Sequence, residues 1–222
     1  MSNLESKQIV DIMCQGGVVP VVRLPNAKGA VDMARALLKG GITAVELTMT
    51  SPGAVDAVEQ IRKAVPAFDE GRAVIGMGSV TNAQQAWSAI EVGAQFVVSP
   101  ITDMDTIAFC LDNDVPIMPG ALTPSEIQAA WVAGASVVKV FPARAFGPIY
   151  FKDILAPLPH LRLMPTGGVS LDNAGDFIRN GAVAIGAGSN LVNKQWVAQK
   201  EWSKLTAQAA AYVKVVREAR RG

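Results

Sequence analysis

Residues 18–47 read VVPVVRLPNAKGAVDMARALLKGGITAVEL, and the rest of the chain repeats their pattern. Val18–Arg23 and Thr43–Leu47 are short β-branched runs, the composition of buried parallel strands. Between them, Ala27–Lys39 spaces its apolar residues at helical intervals and ends at Gly40-Gly41, a helix-stop signal. The same alternation predicts strands over Ala73–Gly76, Gln95–Ser99, Pro116–Pro119, Ser136–Phe141, Leu161–Pro165 and Val183–Ala187, with helices between them. Thr123-Pro-Ser-Glu126 offers a capping residue, a proline at the first helical position and a glutamate at the third, which predicts a helix start. Val197–Arg220 predicts a long amphipathic helix, with Arg217, Arg220 and Arg221 at the negative end of its dipole. An extra helix over about Leu4–Cys14 is expected before the first strand.

Eight strand runs alternating with helices in 222 residues fit a (β/α)8 TIM barrel or an open doubly wound sheet. The open sheet usually carries a dinucleotide fingerprint in its first turn. Here that turn is Leu24-Pro25-Asn26-Ala27, without a glycine cluster. Gly76-Met77-Gly78 meets Thr81, and Gly186-Ala187-Gly188 meets Leu191, where the motif needs a third glycine. The barrel is therefore expected. No Ser/Gly-rich stretch or charge block interrupts residues 1–222, so they are expected to form a single domain.

Half the residues are apolar and 18% are charged, which excludes a disordered chain. Twenty Lys and Arg against 19 Asp and Glu leave a net charge of +1, with no basic excess for nucleic acid or a membrane surface. Two cysteines, Cys14 and Cys110, and one histidine, His160, supply neither a disulfide framework nor a zinc site, so no metal is expected. Met1–Lys7 lacks the apolar core of a signal peptide, and no run reaches transmembrane length; a cytoplasmic location is expected.

Charges stand where the strands should be apolar. Strand residues alternate faces, so Lys139 shares the inward face of its run with Val137 and Phe141. A desolvated lysine becomes a neutral, nucleophilic amine; the alternatives are a buried salt bridge or a lysine reaching out from a strand end. Glu46 interrupts Thr43–Leu47 in the same way, as a general acid/base or as the counter-ion of Lys139. Arg23 closes the first run, either to clamp an anionic substrate or as an exposed strand-end charge. All three lie near C-terminal strand ends, where barrels keep their active sites. Gly167-Gly168 and Gly188-Ser189 follow the seventh and eighth runs, the usual phosphate loops of this architecture, or else two ordinary turns. His160, in a turn, is expected at the surface. Asp103 and Asp105 are expected as helix N-terminal charges, Cys110 as core, and Trp87, Trp131, Trp196 and Trp202 as packing.

Several stretches taken in order resemble one family along nearly the whole chain: Val18-Val-Pro-Val-Val22, Gly40-Gly-Ile-Thr-Ala-Val-Glu-Leu-Thr48, Gly76-Met-Gly-Ser-Val-Thr-Asn82, Val97-Val-Ser-Pro100, Pro119–Glu126, Lys139-Val-Phe-Pro142 and Pro165-Thr-Gly-Gly-Val169. These resemble the class I 2-keto-3-deoxy-6-phosphogluconate (KDPG)/4-hydroxy-2-oxoglutarate (KHG) aldolases. The resemblance implies a (β/α)8 barrel, usually a homotrimer, needing no metal or cofactor. It implies Lys139 as the Schiff-base lysine, Glu46 as acid/base, and Ser79, Pro100 and Phe141 at the pyruvyl group. Gly167, Gly168, Gly188 and Ser189 would bind phosphate. The implied reaction cleaves phosphorylated 2-keto-3-deoxygluconate to pyruvate and glyceraldehyde 3-phosphate. Many gluconate-type members carry Arg where this chain has Thr50, and Arg23 is the expected replacement. Phe146-Gly-Pro-Ile-Tyr150 is similar to the phosphogalactonate branch, so that substrate, or 4-hydroxy-2-oxoglutarate, is the alternative. Further alternatives are a phosphosugar epimerase or isomerase without an imine, or a phosphometabolite-binding protein.

Overall fold

A computed structural model describes residues 4–221, so the first three residues of the Met1–Lys7 stretch lie outside the described residues. The strands are β1 (Val18–Val22), β2 (Ala44–Thr48), β3 (Val74–Gly78), β4 (Phe96–Val98), β5 (Ile117–Met118), β6 (Gly120–Ala121), β7 (Val138–Val140), β8 (Leu163–Pro165) and β9 (Ile185–Ala187). All pairs are parallel. One ladder runs β5-β4-β3-β2-β1-β9 and a second runs β6-β7-β8. A parallel bridge between Thr166 and Gly186 links the end of β8 to β9, so the sheet curls round on itself. The fifth sequence run continues beyond its expected end at Pro119. That residue has no N–H to give a ladder, which splits the strand into β5 and β6.

The helices are α1 (Ser6–Gly16), α2 (Ala30–Lys39), α3 (Ala54–Ala64), α4 (Ala83–Glu91), α5 (Met104–Asp112), α6 (Pro124–Val132), α7 (Ile149–Leu155), α8 (Leu171–Arg179), α9 (Lys194–Ala198) and α10 (Trp202–Ala219). The expected continuous helix over Val197–Arg220 is two helices. Lys200 adopts φ 57° between them, a left-handed conformation that cannot continue a helix. Arg220 does not simply sit at the end of its own helix. Its guanidinium donates to the carbonyls of Cys14, Gln15 and Val183, capping α1 and the entry to β9. Among the described residues, no helix is long and apolar enough to cross a membrane.

Two apolar layers hold the sheet. Outside it, helix faces contribute Leu37, Ile61, Phe151, Phe177 and Tyr212, all fully buried. Inside, Val19, Ala44, Val74, Phe96, Met118, Val137, Met164 and Ala184 pack with Ile9, Val10 and Met13 of α1. Each buried side chain of this size contributes about 1.5–3 kcal/mol. The inner layer lies toward the N-terminal strand ends, where α1 covers it. The next inward positions on β2 and β7 toward the C-terminal ends are Glu46 and Lys139.

α6 begins as its sequence dictates. The Thr123 hydroxyl accepts from the Glu126 N–H, and the Glu126 carboxylate accepts from the Leu122 and Thr123 N–H groups at 3.0 and 2.8 Å. Those backbone bonds hold the Glu126 carboxyl below the usual carboxylate range. Thr123→Ala is expected to remove about 0.5–2 kcal/mol and to lower Tm by a few degrees in a thermal melt.

Candidate active site

Glu46 and Lys139 occupy inward positions on strands from different parts of the sheet. Glu46 pairs in register with Val21 and Gly76, and Lys139 with Gly120 and Met164. Glu46 is completely buried, and neither carboxyl oxygen meets a hydrogen-bond donor. Lys139 is 4% exposed, and its Nζ lies 5.2 Å from the centre of the Phe141 ring. No ion pair within 4.0 Å joins the two among the described residues, so Lys139 is not held in a tight buried salt bridge. The carboxyl fits only because β3 has Gly78 beside it: a Cβ there would overlap the Glu46 carboxyl group.

Burial dominates the electrostatics. It pushes the Glu46 carboxyl above the usual range, while the positive charges of Lys139 and Arg23 pull it back. It pushes the Lys139 amine below its usual value; Glu46 opposes that shift and Arg23 adds to it. Both groups are thus moved toward their neutral forms. A neutral amine can attack a carbonyl carbon, and a carboxyl titrating closer to neutrality can both take and return a proton.

The other expected residues surround this pair at the C-terminal strand ends. Arg23 is exposed one position past β1 and lines a cavity of about 420 Å³ together with Thr50, Ser51 and Lys194. Thr50 is exposed, and its hydroxyl donates to Thr48 at 3.2 Å. Ser79, half-buried after β3, adopts φ 59°, an unusual conformation for a serine and a form of strain that clusters at functional sites. Pro100 is half-buried with its backbone against Gly120, and Phe141 lies beside Gly167. Gly167 and Gly168 turn the chain after β8 with φ of 90° and 87°. Gly188 and Ser189 follow β9, near Arg23: a Cβ on Gly188 would lie 3.8 Å from its Nη1. The N–H groups of Gly167, Gly168, Gly188 and Ser189 donate to no acceptor among the described residues. The Gly188 carbonyl accepts from the Leu191 and Val192 N–H groups in a turn that leads to the short α9 at Lys194.

Three side chains at this end escaped the sequence reading. Thr166 is buried with an unpartnered hydroxyl, accommodated by Gly186. Its signal is in the sequence: it lies two residues past Met164, on the same face by strand alternation. Thr48 and Ser51 are buried and hydrogen-bonded to the loop that carries Arg23. Elsewhere, His160 is exposed against Trp131, Asp103 caps α5 through the Thr106 N–H, and Cys110 is buried with its thiol pushed up to about 12 by burial. Trp87 is not the packing residue expected, since it is 48% exposed. Among the described residues, no group of three or more His, Cys, Asp or Glu could hold a metal ion.

A buried amine and carboxyl at the C-terminal ends of a parallel sheet suit carbonyl chemistry, and comparison with known proteins shows the class to be that of aldolases. The family described as KDPG and KHG aldolase matches residues 9–208. A 2-dehydro-3-deoxy-phosphogluconate aldolase of Treponema pallidum is 37% identical over 200 residues, covering 90% of this chain and 93% of the relative. The KDPG aldolase of Legionella pneumophila, whose crystal structure captured pyruvate as a covalent carbinolamine, superposes with a TM-score of 0.84 at 27% identity, covering 91% of this chain and 97% of that one. A native KDPGal structure gives 0.83 at 31% identity, with 92% and 96% covered. The chain belongs to the KDPG and KHG aldolase family.

The raised carboxyl has a consequence for stability. The folded chain holds on Glu46 a proton that the unfolded chain releases near its ordinary value of about 4.3. Stability therefore falls as pH rises from there through the raised folded value. Glu46→Gln lacks this penalty. Its stability relative to wild type is expected to improve as pH rises above about 4 in urea unfolding, whereas an unperturbed carboxyl would leave the difference flat.

Proposed function

We propose that this chain is a Schiff-base aldolase that cleaves 2-keto-3-deoxy-6-phosphogluconate to pyruvate and glyceraldehyde 3-phosphate. The observation that carries the reading is the desolvated Lys139 amine, held without a tight ion pair on the same sheet face as the unbonded Glu46 carboxyl. The names of the similar proteins support the substrate.

The Nζ lone pair of neutral Lys139 attacks the C2 ketone. The Glu46 carboxyl gives its proton to the departing hydroxyl, which leaves as water; Glu46 is left as carboxylate and the nitrogen as a protonated imine, an electron sink adjacent to C3. Glu46, as carboxylate, takes the C4 hydroxyl proton. The C3–C4 bond electrons flow into the imine and the aldehyde departs. Glu46 returns a proton to C3 of the resulting enamine, and water frees pyruvate and Lys139. Covalent attachment divides one hard step into easier ones. No step calls for a metal or cofactor.

In this reading Arg23, with Ser79, binds the substrate carboxylate, while Thr50 lines the same cavity without a charge to offer. Pro100 and Phe141 bound the pyruvyl group. Gly167, Gly168, Gly188 and Ser189 take the phosphate on their free N–H groups. We read the curled sheet as a closed (β/α)8 TIM barrel over residues 1–222, one domain, with α1 as an extra helix beneath it. A homotrimer is proposed for the assembly, supported by exposed apolar side chains such as Ile101, Met104, Phe146 and Ile149, and a cytoplasmic location by the free Cys14 and Cys110.

Borohydride reduction in the presence of pyruvate is expected to fix a three-carbon unit on Lys139, seen by intact mass and peptide mapping, also after prolonged chelation. Modification of another residue, or none in an enzyme that still releases pyruvate, would refute the assignment.

A further inference from the structure

Arg23 has an exposed guanidinium that makes no hydrogen bond or ion pair among the described residues. Its aim must therefore come from its backbone. Both peptide groups flanking its Cα are held by side chains at the end of β2 and in the loop after it. Thr48 Oγ1 donates to the Val22 carbonyl at 3.0 Å, and the Leu24 N–H donates to Ser51 Oγ at 2.9 Å. The two hydroxyls lie 3.2 Å apart, and Thr50 Oγ1 donates to Thr48 Oγ1 at 3.2 Å.

Counting hydrogens fixes every direction in this cluster. A hydroxyl has one proton and two lone pairs. Thr48 gives its proton to Val22, so it accepts from both Thr50 and Ser51. Ser51 accepts from Leu24 and gives its own proton to Thr48. Thr48 is fully buried and Ser51 is 6% exposed, so little water competes for these bonds. With peptide planes rigid, pinning the one on each side of Arg23 fixes its φ and ψ, and with them the direction of its Cα–Cβ bond.

We propose that Thr48 and Ser51 are positioning residues for Arg23, a hydroxyl clamp that aims the guanidinium across the mouth at the substrate carboxylate. The inference rests on the reading of Arg23 as the cationic contact, and it adds how an otherwise unsupported side chain is pre-organised. Such a contact gains by having less freedom to lose on binding.

The test is steady-state kinetics of pyruvate release from 2-keto-3-deoxy-6-phosphogluconate by Arg23→Ala, Ser51→Ala and the double variant, with folding checked by circular dichroism. Ser51→Ala is expected to lower kcat/KM by roughly 3- to 10-fold, the scale of one hydrogen bond, mainly through KM. Ser51→Thr, which keeps the hydroxyl, should restore near wild-type values. The double variant should be no worse than Arg23→Ala alone, because a clamp has nothing left to aim. Thr48→Val loosens the other side of Arg23 and is expected to behave alike, giving a second measurement should Ser51→Ala fold poorly. If the losses multiply, or if both hydroxyl deletions match wild type while Arg23→Ala is damaging, the clamp is overturned and the reading of Arg23 stands. If Arg23→Ala itself matches wild type, the clamp and the contact fall together. Imine trapping at Lys139 then judges the aldolase reading separately.

Discussion

An ionised group buried without a partner costs several kcal/mol, and Glu46 with Lys139 raises that cost twice on one face of one sheet. Much of the surrounding structure is arranged around this cost. Gly78 hollows β3 so that the Glu46 carboxyl can lie against the backbone. The apolar layer of Phe96, Met118, Val137 and Met164, covered by α1, backs the pair from the other end of the strands. In the proposed chemistry the neutral states that burial favours are useful ones: a free amine lone pair, and a carboxyl that holds a proton to give. Stability given up at these two positions is recovered in the apolar layers on either side of the sheet.

Strand and helix order was legible because buried parallel strands are β-branched, and because helices here stop at glycines such as Gly40 and start at caps such as Thr123. Lys139 and Glu46 stood out by the same logic, as charges on faces that should be apolar. Three features were not legible. Gly120-Ala121 has the composition of a turn, yet pairs with Lys139 and Val140 as a strand; the partner, not the propensity, decides. The break before α10 rests on the left-handed Lys200, which nothing in its residue type announces. The hydroxyls of Thr48 and Ser51 have significance only once β1 and β2 lie side by side.

The rim divides by chemistry. The loops after β1, β8 and β9 offer the Arg23 guanidinium and unengaged N–H groups, all suited to anions. The loops after β4 and β7 present Ile101, Met104, Phe146 and Ile149 to the outside. Phe146 stacks on Tyr150 at 4.7 Å between ring centres, and the Tyr150 hydroxyl donates to the Leu122 carbonyl, which stiffens that side. The loop after β7 also brings one charge to the anion-suited side: Arg144 is exposed, and its backbone N–H donates to the Gly167 carbonyl.

β1 pairs with β2 on one side and with β9 on the other, and Arg220 reaches back to cap α1. During synthesis the N-terminal segments leave the ribosome first, at about 5–20 residues per second. For most of that time β1 is an open edge, of the sort that invites pairing with other chains. Within α1 the Met13 carbonyl is capped at once by the Gly17 N–H, but those of Cys14 and Gln15 wait for Arg220. A lesion that truncates the chain before β9 would leave that edge of β1 open, and one that removes only Arg220 would leave the Cys14 and Gln15 carbonyls without its guanidinium.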